Sequence, residues 1–89
     1  MKAIITVNAR DNIGSMAALS SLLAACNVNI LDISQTIMGE YFVMIMLVDY
    51  SRCQFAFDEL RNKLTELGSQ RQMNIRIQRE DIFEAMYRV

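Results

Sequence analysis

The hydrophobic and polar positions along the chain predict alternating strands and helices, beginning with one of each. Residues 2–9 carry apolar and β-branched side chains on both faces, a pattern typical of a strand in the middle of a sheet. Four apolar residues then recur at spacings of three and four: Met16, Leu19, Leu23 and Cys26. This spacing predicts a helix with one apolar face, for which Asp11 or Asn12 is a suitable N-terminal cap.

Two further strands and a tight turn are predicted next. Residues 30–38 alternate between apolar and polar side chains, which predicts a strand with one wetter face. Its apolar side is expected to comprise Leu31, Ile33 and Ile37. Residues 39–40 (Gly-Glu) supply the turn, and residues 41–49 are apolar on both faces, so the third strand is expected in the centre of the sheet.

The second half of the chain predicts a helix, a strand and a short closing helix. Ser51 and Gln54 have the spacing of an N-terminal capping box. A seven-residue apolar repeat then runs as far as Gly68 through Cys53, Phe57, Leu60, Leu64 and Leu67. Residues 73–78 alternate strictly and predict the fourth strand. Residues 81–87 combine a second capping pattern with apolar side chains, which predicts the closing helix.

The predicted order β-α-β-β-α-β, with the short C-terminal helix, is the ferredoxin-like α+β sandwich in a single domain of residues 1–89. Right-handed crossovers give an antiparallel sheet in the order 4-1-3-2 with two helices on one face. The other face would expose apolar side chains to water, so we expect either residues 82–86 or a second copy of the chain to cover it. A homodimer is therefore predicted, and the second strand can pair antiparallel with its own copy at the sheet edge.

Composition excludes several classes of function. Nine Lys and Arg against ten Asp and Glu give a net charge of −1, so the excess positive charge needed for non-specific binding to nucleic acid or an anionic membrane is lacking. The longest apolar run, residues 41–48, is far shorter than the ~20 residues of a membrane-spanning helix. With no signal peptide pattern at the N-terminus, we expect a cytoplasmic protein with free thiols.

Histidine is absent, and this limits the chemistry available to the chain. Cys26 and Cys53 are the only cysteines and form no paired metal-binding motif, so we expect no metal and no cofactor. Carboxylates and serines without a histidine partner do not make a convincing catalytic centre, and a non-enzymatic protein is predicted. Both cysteines fall on apolar helix stripes, which favours structural thiols over a redox pair.

Residues 11–16 link the first strand to the first helix through a polar stretch that contains Gly14. The first backbone N–H groups of a helix have no partner within it, so a loop of this kind can hold a small anion. The same residues can serve a structural purpose, because Asp11 or Asn12 can cap the helix and Gly14 can relieve crowding in the turn. The sequence leaves both interpretations open.

Three passages together resemble the ACT domain, a small ferredoxin-like module that binds amino acids and regulates metabolism, and in particular its stand-alone bacterial members. They are residues 2–7 with Asp11 and Gly14, residues 29–36 with the sequence Asn-Ile-Leu-Asp-Ile-Ser-Gln-Thr, and residues 82–86. Ile13 stands where the family's loop commonly has proline, so this loop lacks the fixed φ angle that proline would supply.

The resemblance implies a ligand site at a dimer interface, between the loop after the first strand of one chain and the start of the second strand of the other. The implied ligand-binding residues are Asp11, Asn12, Gly14, Ser15 and Met16, with Asn29 and Ile30 of the partner subunit. The resemblance also implies a regulatory domain that binds an amino acid and acts through a partner protein. The alternative is a ligand-free oligomerisation or protein-interaction module that regulates a partner enzyme or transcription factor.

Overall fold

The computed structural model describes residues 1–10 and 13–80 of the chain. Four strands and two helices follow one another as β1 Lys2–Ala9, α1 Ile13–Ala25, β2 Asn29–Met38, β3 Tyr41–Asp49, α2 Phe57–Arg71 and β4 Asn74–Arg79. The molecule is a ferredoxin-like α+β fold, with a four-stranded antiparallel sheet and two helices. The predicted C-terminal helix lies outside the described residues.

The strands are hydrogen-bonded in the order β2-β3-β1-β4, which reads 4-1-3-2 from the opposite edge. β1 lies in the middle of the sheet because it pairs antiparallel with β3 on one side and with β4 on the other. β2 and β4 are the edges. The apolar side chains on both faces of residues 2–9 and 41–49 are the sequence signature of the two central strands.

One face of the sheet forms the core with the two helices. Every second residue of β1 from Ala3 to Val7 is buried, as is every second residue of β3 from Phe42 to Val48. The helices cover this face with Leu19 and Leu23 of α1 and with Leu60 and Leu64 of α2. The helical spacings read from the sequence therefore mark the residues that pack on the sheet, while Tyr41, Val43, Ile45 and Leu47 lie on the opposite face.

The predicted apolar side of β2 is wrong in its register, and its three residues are exposed. A bulge between Ile30 and Asp32 leaves Leu31 without a pairing partner on β3. The bulge interrupts the alternation of faces, so Leu31 does not continue the row formed by Ile33 and Ile37. Ile33 is 42% exposed and Ile37 is 69% exposed. The helices leave this edge strand uncovered, and only Ile30 among its residues is half-buried.

The predicted capping box at the start of α2 is also wrong, because the helix begins only at Phe57 and the Gln54 side chain binds a distant segment. The Ser51 N–H donates to Asp49 Oδ1 at 2.9 Å. The Gln54 side chain donates from Nε2 to the Ala25 carbonyl oxygen at 3.0 Å and accepts a bond from Asn27 Nδ2 at 3.2 Å. Gln54 thus connects the segment before α2 to the end of α1. The helix starts three residues later at Phe57, and its N-cap residue Ala56 makes no side-chain bond.

The predicted end of α2 at Gly68 falls within the helix, which continues to Arg71. Gln72 then adopts a left-handed conformation with φ 56°. Gly68 is buried where the chain returns into β4, and a Cβ atom there would lie 2.5 Å from the Met73 carbonyl oxygen. Gly68 is therefore needed because the backbone at Met73 passes too close for a Cβ atom. The left-handed residue that ends the helix is Gln72 and not Gly68.

Candidate functional site

The predicted ligand-binding residues fall at two places in the fold. Asp11 and Asn12 lie outside the described residues, while Gly14 and Ser15 belong to the first turn of α1. Met16 is half-buried and packs against the core. Asn29 is exposed at the first position of β2, and Ile30 is half-buried beside it.

These two places lie at opposite ends of the sheet. Ala9, the last residue of β1, pairs with Phe42, whereas Asn29 pairs with Asp49. The two pairing positions are seven steps apart along β3, which corresponds to roughly 23 Å at the usual rise of a strand. A single chain therefore does not bring the start of α1 and the start of β2 together, and a site built from both needs two chains.

A first depression, here named the apolar pocket, lies at the end of the sheet where β1 leads into α1. It has a volume of about 440 Å³ and is lined by Asn8, Ala9, Arg10, Met38, Tyr41, Phe42, Val43, Gln72 and Asn74. Its lining combines the end of β1, the β2–β3 turn and the turn before β4. Apolar side chains with a few polar groups around them are the usual lining of a small-molecule pocket.

Among the described residues that line the apolar pocket, Arg10 alone is charged. Its guanidinium Nη2 lies 3.2 Å from Glu40 Oε1, and its Cζ lies 5.9 Å from the centre of the Tyr41 ring. Both partners of the ion pair are largely exposed, so the pair contributes little to stability. At the pocket, the Glu40 carboxylate balances the positive charge of Arg10 beside the Tyr41 ring.

A second depression, here named the polar pocket, lies at the opposite end of the sheet. It has a volume of about 870 Å³ and is lined by Asn27, Val28, Asn29, Asp49, Ser51 and Arg52. Hydrogen bonds from Ser51 lower the pKa of Asp49, and the N-terminal ammonium group, 3.5 Å away, acts in the same direction. The Asp49 carboxylate is therefore ionised at neutral pH, beside the exposed amide of Asn29.

Sequence reasoning missed the lining residues Met38, Tyr41, Asp49 and Arg52. Met38 and Tyr41 flank the Gly39-Glu40 turn, and both remain more than half exposed, at 62% and 54%. Two large apolar side chains on either side of a tight turn were the signal available in the sequence. Asp49 and Arg52 gave no comparable signal, because their proximity to Asn29 depends on strand pairing.

The two cysteines are free thiols in the structure. Burial raises the pKa of Cys26, the neighbouring Cys53 raises it further, and Lys63 acts in the opposite direction. Cys26 belongs to the core and Cys53 packs against it, as expected for structural thiols. Within residues 1–10 and 13–80, no cluster of three metal-binding side chains is present.

No helix in the part of the chain that the structure describes is long and apolar enough to cross a membrane. The candidate site comprises two depressions at opposite ends of the sheet. One is mainly apolar with a balanced charge, and the other is polar with an ionised carboxylate.

Comparison with known proteins agrees with this architecture. A UPF0237 protein of Clostridium acetobutylicum is 53% identical over 89 residues, the full length of both chains. The solved structure of an ACT domain protein from Streptococcus pneumoniae superposes with a TM-score of 0.82 at 45% identity and covers 98% of each chain. A formyltetrahydrofolate deformylase from Pseudomonas syringae shares the fold at 23% identity with a TM-score of 0.78, and the match covers 88% of this chain and 27% of that one. The sequence profile of the ACT domain matches residues 2–78, and the chain belongs to the ACT domain family.

Proposed function

We propose that this protein is a non-catalytic regulatory ACT domain of the cytoplasm that acts as a homodimer and binds an amino acid between its two subunits. The observation that carries the proposal is the placement of the start of α1 and the start of β2 at opposite ends of a sheet whose β2 edge is uncovered. Membership of the ACT family supports the regulatory role.

The uncovered edge supports the dimer. β2 presents ten residues with one ladder of backbone hydrogen bonds to β3 and none on its outer side within the described chain. Exposed edges pair readily with another strand, and self-pairing about a two-fold axis is antiparallel. That arrangement brings the start of β2 in one subunit beside the end of β2 in the other, so Asn29 of the partner subunit approaches the end of the sheet where α1 begins.

The groups at that composite position suit an amino acid. Backbone N–H groups of the first turn of α1 can bind an α-carboxylate, Asp11 can pair with the ammonium group, and the amide of Asn29 of the partner subunit can donate or accept. Gly14, Ser15 and Met16 provide the N–H groups. Ile30 of the partner subunit adds an apolar wall.

We expect the regulatory effect to require another protein, because the sequence contains no histidine that could serve as a general base. In the deformylase the same fold is part of a much longer chain, since the match covers 27% of it. Here the ACT domain would act on a separate enzyme or transcription factor. A dimer that engages such a partner without any ligand is the second candidate, favoured by the exposed apolar residues of β2.

Thermal unfolding of the purified protein in the presence of each of the twenty amino acids tests ligand binding. A bound ligand at one hundred times its Kd stabilises the fold by about 2.7 kcal/mol, which gives a clear rise in Tm. Asp11→Ala and Asn29→Ala should abolish the rise, whereas Asn62→Ala, at an exposed position of α2, should retain it. A flat response across the panel at millimolar ligand would favour the interaction module.

Light scattering during size-exclusion chromatography tests the dimer. Ser34 lies at the middle of β2, so antiparallel self-pairing brings the two copies of this residue close to the two-fold axis. Ser34→Lys should convert the dimer to a monomer, because two lysines meet at the edge, while Ser69→Lys on α2 should leave the mass unchanged. A wild-type protein that elutes as a 10 kDa monomer at micromolar concentration would contradict the proposal.

A further inference from the structure

We infer that residues 81–89 pack as an amphipathic helix on the face of the sheet that α1 and α2 leave open. This face, here named the helix-free face, bears Ile4, Val43, Ile45 and Leu47. The inference does not depend on a bound ligand. It assigns the helix-free face to the chain's own segment and leaves the β2 edge as the surface for a second copy in the proposed dimer.

The strand register defines the helix-free face. Ile4 pairs with Leu47, and the side chains of directly paired residues project to the same side of a sheet. Their neighbours along the strands, Ile5 and Met46, are buried on the opposite side with the helices. Ile45 lies on the same side as Leu47 and is 43% exposed. The helix-free face therefore presents apolar side chains that neither α1 nor α2 covers.

The shape of this apolar strip fits one helix better than a second sheet. The strip follows β3 and is widest where Ile4 of β1 pairs with Leu47. Polar residues flank it, namely Asp32 of β2, which pairs with Leu47, and Thr6 and Arg76, which pair with each other on β1 and β4. Two strands measure about 10 Å across, close to the diameter of a helix with its side chains. A second sheet would also cover Asp32 and Arg76, and removing such charges from water is costly.

The end of β4 delivers the segment to the strip. Arg79, the last residue of β4, pairs with Ala3 at the Leu47 end of the sheet. Only β1 lies between β4 and β3, so about 10 Å separates them. The nine residues 81–89 span about 14 Å as a helix, which is enough to reach Leu47. Tyr41 lies six residues farther along β3, about 20 Å away, and beyond the reach of that helix.

The sequence of the segment suits a surface that is apolar on one side. At about 100° per residue, four apolar side chains fall within an arc of about 140°: Ile82, Phe83, Met86 and Tyr87. The charged side chains fall within about 60° on the other side: Asp81, Glu84 and Arg88. A helix of nine residues is not stable alone in water, so its apolar side needs a surface to cover. Packing on the helix-free face removes both apolar surfaces from water.

Nuclear Overhauser spectroscopy of the full chain, labelled with ¹³C and ¹⁵N, tests the inference directly. We expect contacts between the Phe83 ring and the methyl groups of Ile45 and Leu47, and none between Phe83 and Tyr41. A sample that mixes labelled and unlabelled chains distinguishes contacts within one chain from contacts between two copies. Contacts seen only between copies would assign the helix-free face to a second copy and overturn the inference, as would the absence of contacts in both samples.

A double-mutant cycle provides an independent measurement. Phe83→Ala and Leu47→Ala are compared singly and together by urea unfolding at one fixed protein concentration. If the two side chains touch, their effects on the unfolding equilibrium constant should depart from additivity by at least about twofold. Phe83→Ala with Tyr41→Ala is the matched control, because Tyr41 lies on the same strand and face, and its effect should be additive. Additive effects of Phe83→Ala and Leu47→Ala would contradict the inference.

The outcomes are separate from those of the proposed function. Contacts within one chain together with coupling between Phe83 and Leu47 support the inference whether or not an amino acid binds. A rise in Tm with an amino acid supports the proposed function whether or not residues 81–89 cover the helix-free face.

Discussion

Replacing Gly68 by alanine is expected to destabilise the protein, although glycine is a poor residue inside a helix. In a helix surrounded by solvent the same change stabilises by about 1 kcal/mol, because alanine loses less backbone entropy on folding. Gly68 is buried in α2, and the Cβ atom of an alanine would lie 2.5 Å from the Met73 carbonyl oxygen. That distance is well inside van der Waals contact, so the backbone must move.

The movement is costly because the neighbouring backbone is held at the same point. The Met73 N–H donates to the Gly68 carbonyl oxygen at 2.8 Å, and Asn74 begins β4 immediately afterwards. Overpacking of a rigid site costs about 1–3 kcal/mol. After the gain in helix propensity is subtracted from the upper part of this range, a net loss of about 1–2 kcal/mol is expected.

Urea unfolding followed by circular dichroism at one fixed protein concentration measures the effect. At an m-value of roughly 1–3 kcal/mol/M, the midpoint of Gly68→Ala should fall by on the order of 1 M. The matched control is Ser69→Ala, at the next and exposed position of α2, where the midpoint should stay the same or rise slightly. A midpoint for Gly68→Ala equal to or above that of the wild type would refute the packing argument.

Two other predictions concern the residues around the 51–56 segment. Hydrogen bonds from Ser51 lower the pKa of Asp49, so the carboxylate stabilises the fold above about pH 4 and loses this effect as the pH falls through the lowered pKa. Asp49→Asn should therefore unfold at a lower urea concentration than the wild type at pH 7. This difference in midpoint should become smaller at pH 3, and a larger difference would contradict the prediction. Gln54→Ala removes the bonds to Ala25 and Asn27, so it should lower the free energy of unfolding by about 1 kcal/mol and speed hydrogen exchange at the Val28 amide. Gln70→Ala on α2 should change neither the stability nor the exchange rate. Unchanged exchange in Gln54→Ala would show that these bonds do not hold the end of α1.

The sequence predicted the elements whose signal is local and periodic. Apolar side chains on both faces identified β1 and β3, alternation identified β4, and the spacing of Leu60 and Leu64 identified the buried stripe of α2. The start of α2 was placed too early because Gln54 has the chemistry of a capping residue, but its side chain binds Ala25 and Asn27 instead. Such contacts between distant segments leave no mark in a local pattern.

Gly68 and Leu31 illustrate the same limit in different ways. A glycine after a helical repeat resembles a helix end, yet here it permits the close approach of Met73, which depends on where β4 lies. Leu31 continues the apolar alternation of β2 in the sequence but falls in a bulge defined by pairing with β3. For the candidate site, the sequence indicated the start of α1 and Asn29, while the walls formed by Met38 and Tyr41 became evident only from their shared pocket.

The bulge between Ile30 and Asp32 has a consequence for the proposed dimer. An uninterrupted edge strand can slide along a partner strand and still satisfy its hydrogen bonds, so chains with similar edges exchange partners easily. A bulge interrupts the regular spacing of donors and acceptors and increases the local twist, so it acts as a stop at one end of β2. In the proposed dimer, such a stop would favour a single register of β2 against its own copy.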